Sequence, residues 1–151
     1  MIKLFKRDSK GLHYHEAWAT ASGIVEHWGT CPDRGTTKEH VNTSLEDVLS
    51  TARKNGFVEL DLEKLEWLIV EYNIEEIDIN TALAKRHALE ERLAETLGWT
   101  GLGECDGGSI GSGTMEVACV VADFNLAKQL ILEDVQDTPF NDFTRIYQVT
   151  A

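Results

Sequence analysis

Cysteine is scarce in this sequence, and its few cysteines form no recognisable pattern. Cys31, Cys105 and Cys119 are odd in number and include no CxxC pair. A disulfide framework uses an even number of cysteines, and a structural zinc knuckle uses closely spaced pairs, so the sequence argues against both. We therefore expect the thiols to be reduced.

Long apolar runs are also lacking. Residues 67–70 and 118–122 form the longest of them, far short of the roughly 18 to 20 residues that a membrane-spanning helix needs. The start of the chain carries charges where a secretory signal has a continuous apolar stretch. We therefore expect a cytoplasmic protein of bacterial type with no membrane partner.

Basic residues are few in the second half of the chain. Residues 61–151 carry six Lys/Arg against eighteen Asp/Glu, whereas residues 1–60 carry eight of each. The whole net charge of -12 therefore belongs to the second half. Such a surplus repels phosphate backbones, which argues against a nucleic-acid partner and favours a cationic or neutral protein.

The first half has the pattern of a β-sheet followed by one helix. Aromatic and β-branched residues fill short segments that Gly, Asp and Ser separate, as is typical of strands and turns. A capped helix follows, beginning at Thr43 or Ser44 and ending at Asn55-Gly56. The predicted strands are residues 2–6, 12–20, 24–28 and 36–41, and the predicted helix is residues 43–56.

The second half begins with a segment that fits two interpretations. Leu68, Val70 and Tyr72 alternate on one face, which favours a strand, while Leu65, Ile69 and Tyr72 have helical spacing. We interpret residues 65–74 as a strand.

With that strand, the second half has the order strand, helix, strand, strand, helix, strand. The predicted elements are strand 65–74, a helix from Asn80 or Thr81 to Leu97, strands 100–105 and 114–121, a helix over 126–135 capped by Asp123 or Asn125, and strand 145–149. This is the order of the ferredoxin-like βαββαβ unit. Its first and third strands are central, and here those two are the most apolar.

A set of short motifs in the first half carries a family resemblance. The motifs are Tyr14 and Trp18 in one strand, His27-Trp28-Gly29, Asp33-Arg34-Gly35, and Lys54-Asn55-Gly56-Phe57 after the helix. Residues 12–59 thereby resemble a WGR-type domain, a small β-sheet module with one packed helix. The resemblance implies contacts with DNA ends or nucleotides, with the tryptophan stacking and the arginine touching the backbone.

The chain departs from that family at the signature arginine. Thr30 stands in its place, and the region has no net positive charge. The resemblance therefore implies a fold more than nucleic-acid binding. It leaves Trp28 and Arg34 as candidate partner-binding residues. The fold prediction is α+β, with a WGR-like β module over residues 1–60 and a ferredoxin-like βαββαβ domain over residues 61–151.

Seven glycines lie between residues 98 and 113, and part of this segment matches the GxSxG pattern of a hydrolase. A nucleophile elbow needs a helix after its serine and a histidine later in the chain, but a predicted strand follows here and His87 is the last histidine. We expect a flexible loop that is the first place to look for a partner or ligand. Its candidate residues are Asp106, Gly107, Gly108, Ser109 and Gly111.

No catalytic residue, metal site or cofactor is predicted. His13 and His15 share a strand face, with His27 on the neighbouring strand, but their spacing matches no ligand signature. The leading hypothesis is a non-enzymatic binding or regulatory protein that acts through protein contacts. The alternatives are a nucleic-acid-associated WGR-like module and, third, an enzyme or small-anion binder that uses residues 101–113.

Overall fold

The computed structural model describes residues 1–150, and at Leu62 the backbone alone. The chain forms two compact units. The first comprises Met1–Leu62 together with Trp99–Gly101, and the second comprises Glu63–Gly98 and the residues from Leu102 on. Among residues 1–150, no helix combines the length and the apolar character needed to cross a membrane.

The first unit is an antiparallel meander followed by a helix. Its strands pair in the order β1-β2-β3-β4. The elements are β1 (Ile2–Asp8), β2 (Gly11–Thr20), β3 (Gly23–Thr30), β4 (Thr36–His40) and α1 (Leu45–Lys54). The predicted strands and helix are confirmed, with ends that differ by a few residues.

Helix α1 covers one face of this sheet. Its Leu49 and Ala52 form a buried core with Leu4, Ala17 and Ile24 of the strands. The Ser44 hydroxyl accepts a hydrogen bond from the Asp47 backbone N–H, so Ser44 is the N-cap.

The second unit is a four-stranded antiparallel sheet with two long helices. The strand order is β6-β7-β5-β8, which read from the other edge is the order of the ferredoxin-like fold. The elements are β5 (Glu66–Asn73), α2 (Ile79–Trp99), β6 (Gly103–Gly111), β7 (Thr114–Val121), α3 (Phe124–Val135) and β8 (Arg145–Val149); Trp99, the last residue of α2, is grouped with the first unit.

The α+β prediction is confirmed, and the ambiguous segment is a strand. In β5 the side chains of Leu68, Val70 and Tyr72 are almost fully buried, as the alternating pattern predicts. Strands β5 and β7 are the central pair of this sheet. The high apolar content of these two segments had predicted that they are the central strands.

Both helices pack on the same face of the second sheet. The Arg92 guanidinium of α2 donates to the Asp134 carboxylate of α3 at 2.9 Å, so the two helices are neighbours. The Lys85 ammonium of α2 lies 4.7 Å from the ring centre of Tyr72, which places α2 over the buried face. The opposite face carries neither helix of this unit.

Two predicted boundaries are wrong. The glycine-rich segment is not a loop: β6 extends to Gly111, and the turn into β7 is limited to residues 112–113. Pairing with β7 supplies the backbone hydrogen bonds that offset the conformational entropy of the glycines.

Helix α2 begins earlier than predicted because the Asp78 carboxylate accepts hydrogen bonds from the backbone N–H groups of Asn80 and Thr81. Of the two predicted caps of α3, Asp123 or Asn125, the structure has Asp123.

Candidate functional site

The candidate site is the face of the second sheet that lies opposite α2 and α3, here called the helix-free face. Side chains alternate along a strand, so burial of Leu68 and Val70 under the helices places Trp67, Ile69 and Glu71 on this face. The strand register adds their neighbours. These are Val120, Ala118 and Glu116 of β7, and Val149, Tyr147 and Arg145 of β8.

One row of this face is apolar and open to solvent. Trp67 pairs with Val149 on one side and with Val120 on the other. Trp67 is 40% exposed and Val149 is 45% exposed. Single exposed apolar residues are normal, but two adjacent ones in a row across three strands form a patch. The row ends at Glu104 of β6, which pairs with Val120 and is exposed.

A second row is polar and held by specific contacts. The Arg145 guanidinium donates to both oxygens of Glu71, at 3.1 and 3.2 Å, and lies 4.0 Å from the ring centre of Tyr147. The Tyr147 hydroxyl donates to Glu116 Oε1 at 3.0 Å. Because Tyr147 is on β8 and Glu116 is on β7, their side chains reach across β5, beside the buried Ile69.

These contacts change the proton affinities of the row. Loss of solvation, together with the hydrogen bond to Glu116, raises the pKa of the Tyr147 phenol. The hydrogen bond to Glu71 raises the pKa of the Arg145 guanidinium. Both residues therefore keep their protons at neutral pH, and the row presents a fixed arrangement of planar groups to solvent.

The predicted residues of the second unit lie together along one edge strand. Asp106, Gly107, Gly108 and Ser109 are exposed on β6, and the β6–β7 register shifts between Cys105 and Gly108. A Cβ at Gly108 would lie 2.3 Å from the Glu116 carbonyl oxygen, so that glycine is required by the close approach of two backbones. Gly111 ends the strand, with no atom near the position of a Cβ.

Ser109 does not stand at a nucleophile elbow. It lies inside β6 and pairs with Glu116 of the next strand. An elbow places its serine on a sharp turn between a strand and a helix. The GxSxG match is thus part of a β-hairpin.

The two predicted residues of the first unit have different surroundings. The ring of Trp28 stacks on the imidazole of His15, with centroids 5.6 Å apart and planes 18° apart. The side chain of Arg34 is exposed, while its backbone carbonyl accepts a hydrogen bond from His27 Nε2 at 2.5 Å. The structure therefore gives Arg34 a backbone role in the turn between β3 and β4.

Sequence reasoning missed the role of three glycines in the first unit, two from the WGR-like motifs and one after helix α2. A Cβ at Gly29, Gly35 or Gly101 would lie 2.6, 2.5 or 2.2 Å from atoms of the Tyr14 side chain. Tyr14 is fully buried, and its hydroxyl donates to the Asp33 carbonyl at 2.6 Å. Burial raises the pKa of its phenol. These glycines therefore make room for a buried tyrosine.

A buried histidine–carboxylate contact in the same sheet was also missed. His27 Nδ1 lies 2.7 Å from Glu16 Oε1, on the strand face opposite His13 and His15. On the other side of the ring, His27 Nε2 contacts the Arg34 carbonyl oxygen and lies 3.4 Å from the Tyr14 hydroxyl. Sequence spacing could place these residues on neighbouring strands but not opposite each other, because that depends on the β2–β3 register.

On the other face, His15 and His40 contact one carboxylate, that of Glu26. His15 Nε2 and His40 Nε2 lie 2.5 and 2.8 Å from the two oxygens of Glu26. Burial opposes ionisation of Glu26, but the hydrogen bonds from the two imidazoles outweigh it and lower the pKa of this carboxyl. Among residues 1–150, no group of three or more His, Cys, Asp or Glu side chains is arranged to hold a metal ion.

No family model, curated protein or solved structure matches this chain. The likeness of residues 12–59 to a WGR-type domain thus stays a prediction.

Proposed function

We propose that this protein is a non-enzymatic binding protein that acts through protein–protein contacts, and that the helix-free face docks a cationic segment of a partner. The observation that carries the proposal is the exposed pair of Trp67 and Val149 on that face. Exposed apolar patches with a polar rim are typical of interaction surfaces.

The residue types on the face support a protein partner. Trp, Tyr and Arg are the residues most enriched among those that dominate binding energy at protein interfaces. Trp67, Tyr147 and Arg145 bring all three types onto neighbouring strands. The Glu71–Arg145–Tyr147–Glu116 contacts hold the polar row in place before binding, so little side-chain entropy is lost on association.

Charge selects the kind of partner. The apolar row ends at Glu104, and residues 61–151 carry twelve more acidic than basic groups. A second copy of the chain would bring the same surplus to the interface, which opposes association of like surfaces. A partner segment with one apolar side chain flanked by Lys or Arg would pack that side chain on the apolar row. Its basic groups would be attracted by the negative charge of the surrounding residues.

A peptide comparison tests this proposal. Fluorescence anisotropy would measure binding of labelled peptides to the intact protein. The peptides would share one apolar core, flanked in one set by Lys/Arg and in the other by Asp/Glu. We expect the basic set to bind and the acidic set not to bind. We expect Trp67→Ala to weaken binding at least about tenfold, or roughly 1.4 kcal/mol.

Leu83→Ala is the matched control, because Leu83 is a large apolar residue of α2 with 38% exposure. It should leave binding unchanged, since α2 packs on the other face of the sheet. Equal binding of basic and acidic peptides, or equal losses in the two variants, would contradict docking at the helix-free face.

A further inference from the structure

Two of the cysteines face each other across neighbouring strands of the second unit. Cys105 of β6 and Cys119 of β7 are direct partners in the antiparallel register. Their sulfur atoms lie 3.6 Å apart. Cys119 is fully buried, whereas Cys105 is partly exposed. Cys31 belongs to the first unit.

We propose that Cys105 and Cys119 form a thiol oxidation site, at which a hydroperoxide converts the pair into a reversible intrachain disulfide. The proposal rests on the geometry of the pair and is independent of the docking function proposed above.

The backbone geometry already suits such a bond. Directly opposed residues of antiparallel strands have Cα atoms about 4.5 to 5.5 Å apart. Disulfides span Cα separations of roughly 4.4 to 6.8 Å, so the strands need not move apart or together. The sulfur atoms must approach from 3.6 Å to about 2.05 Å. Side-chain rotation supplies that movement, and the β-bulge that follows Cys105 gives the β6 backbone room to adjust.

The exposure of the two thiols assigns their order of reaction. Cys105 reaches solvent and is the one that meets the oxidant. Its thiolate attacks one oxygen of hydrogen peroxide, the O–O bond breaks, and hydroxide leaves as the sulfur becomes a sulfenic acid. The hydrogen bond with Cys105 and burial raise the pKa of Cys119, so this thiol stays protonated and is not the first target.

Cys119 then resolves the sulfenic acid. Its sulfur attacks the Cys105 sulfur, the S–S bond forms, and the S–O bond breaks. The departing hydroxide takes the Cys119 proton and leaves as water. The two thiols lose two electrons in total, and the peroxide ends as two molecules of water. A dithiol reductant reverses the reaction by thiol–disulfide exchange.

Mass spectrometry and thiol titration of the intact protein test the proposal. After hydrogen peroxide treatment, we expect the wild-type mass to fall by two hydrogens and the number of titratable thiols in the unfolded protein to fall from three to one. Dithiothreitol should restore both. Fragmentation should place the cross-link between Cys105 and Cys119, and the Cys31→Ser variant should form it equally well.

Cys119→Ser provides the second arm. Without the resolving thiol, the sulfenic acid of Cys105 should persist and be captured by dimedone, a reagent specific for that group. Circular dichroism would establish that this variant is folded. The proposal is overturned if peroxide links Cys31 to another cysteine, produces only intermolecular dimers, over-oxidises Cys105 without a disulfide, or leaves all three thiols intact.

Discussion

His27 and Glu16 form a buried hydrogen-bonded pair inside the first sheet, with Nδ1 and Oε1 2.7 Å apart and exposures of 0% and 4%. The pair joins β2 to β3, and His27 Nε2 also donates to the Arg34 carbonyl in the next turn. Two strands and a turn thus depend on one imidazole. A buried hydrogen bond of this kind is costly to break, because the remaining polar group is left without a partner.

Glu16→Leu should therefore be strongly destabilising. We expect it to lower the free energy of unfolding by roughly 1 to 3 kcal/mol, because a buried nitrogen of His27 would lose its hydrogen-bond partner. Glu39→Leu is the control: Glu39 is exposed on β4, and its change should stay within about 0.5 kcal/mol. Urea denaturation would measure both. Similar values for the two variants would show that the pair contributes nothing.

Gly101→Ala should destabilise the protein because the added methyl group would clash with the Tyr14 side chain. The same substitution at Gly56 should cost less, because no atom lies that close. Gly101 has φ +74° and a Cβ there would lie 2.2 Å from the Tyr14 ring, whereas Gly56 has φ +92° and its nearest atom is at 3.7 Å. Both substitutions place alanine at positive φ, at a cost of about 1 kcal/mol. Only Gly101→Ala adds overpacking, about 1 to 3 kcal/mol more. Equal losses in thermal or urea unfolding would refute the role given to Tyr14.

Glu26 should make stability depend on pH in the acid range. Its pKa in the folded protein lies below the ordinary value of 4.5, so its contribution is present above about pH 4.5 and is lost as the pH falls through the folded pKa. Glu26→Gln should thus reduce stability at pH 7 by more than it does in acid. Chemical denaturation of both proteins from pH 7 downward would reveal it. A stability difference that is constant with pH contradicts this assignment.

The tyrosines should titrate abnormally as a group. The chain has three tyrosines, and loss of solvation raises the pKa of Tyr14, Tyr72 and Tyr147 alike. Tyrosinate absorbance of the folded protein should therefore rise at a higher pH than that of the urea-unfolded protein, whose phenols titrate near the usual pKa of about 10. Coincident titration curves for the folded and unfolded proteins, with circular dichroism unchanged in the folded one, would contradict the raised pKa values.

Duplex DNA should bind weakly to the intact protein. Residues 1–60 have no net charge and the rest of the chain is strongly acidic, so few phosphates can be neutralised. The Trp28 ring already stacks on His15, and base stacking would add only about 1 to 3 kcal/mol. Anisotropy with blunt, nicked and single-stranded DNA at about 150 mM salt would measure it. Sub-micromolar binding that Trp28→Ala weakens would favour the nucleic-acid alternative.

The sheet of the second unit could be predicted because two independent signals agreed. The alternation of Leu68, Val70 and Tyr72 indicated a strand, and the apolar content of β5 and β7 indicated the two central positions. The glycine-rich segment was predicted wrongly, because glycine has low strand propensity and the pairing with β7 outweighs that local preference. The candidate residues Asp106 to Gly111 therefore lie on an edge strand and not in the predicted loop.

By itself, the sequence determined the α+β class, the order of the elements, the candidate caps Thr43 or Ser44 for α1 and Asp123 or Asn125 for α3, and the acidic character of the second half. These depend on periodicity, turn chemistry and composition, which are local or summed properties of the chain. Only the tertiary structure decided that Trp67 lies beside Val149, that Glu16 meets His27, and that Cys105 faces Cys119. Each of these pairs depends on strand register, and a shift of one residue would turn every side chain of a strand to its opposite face.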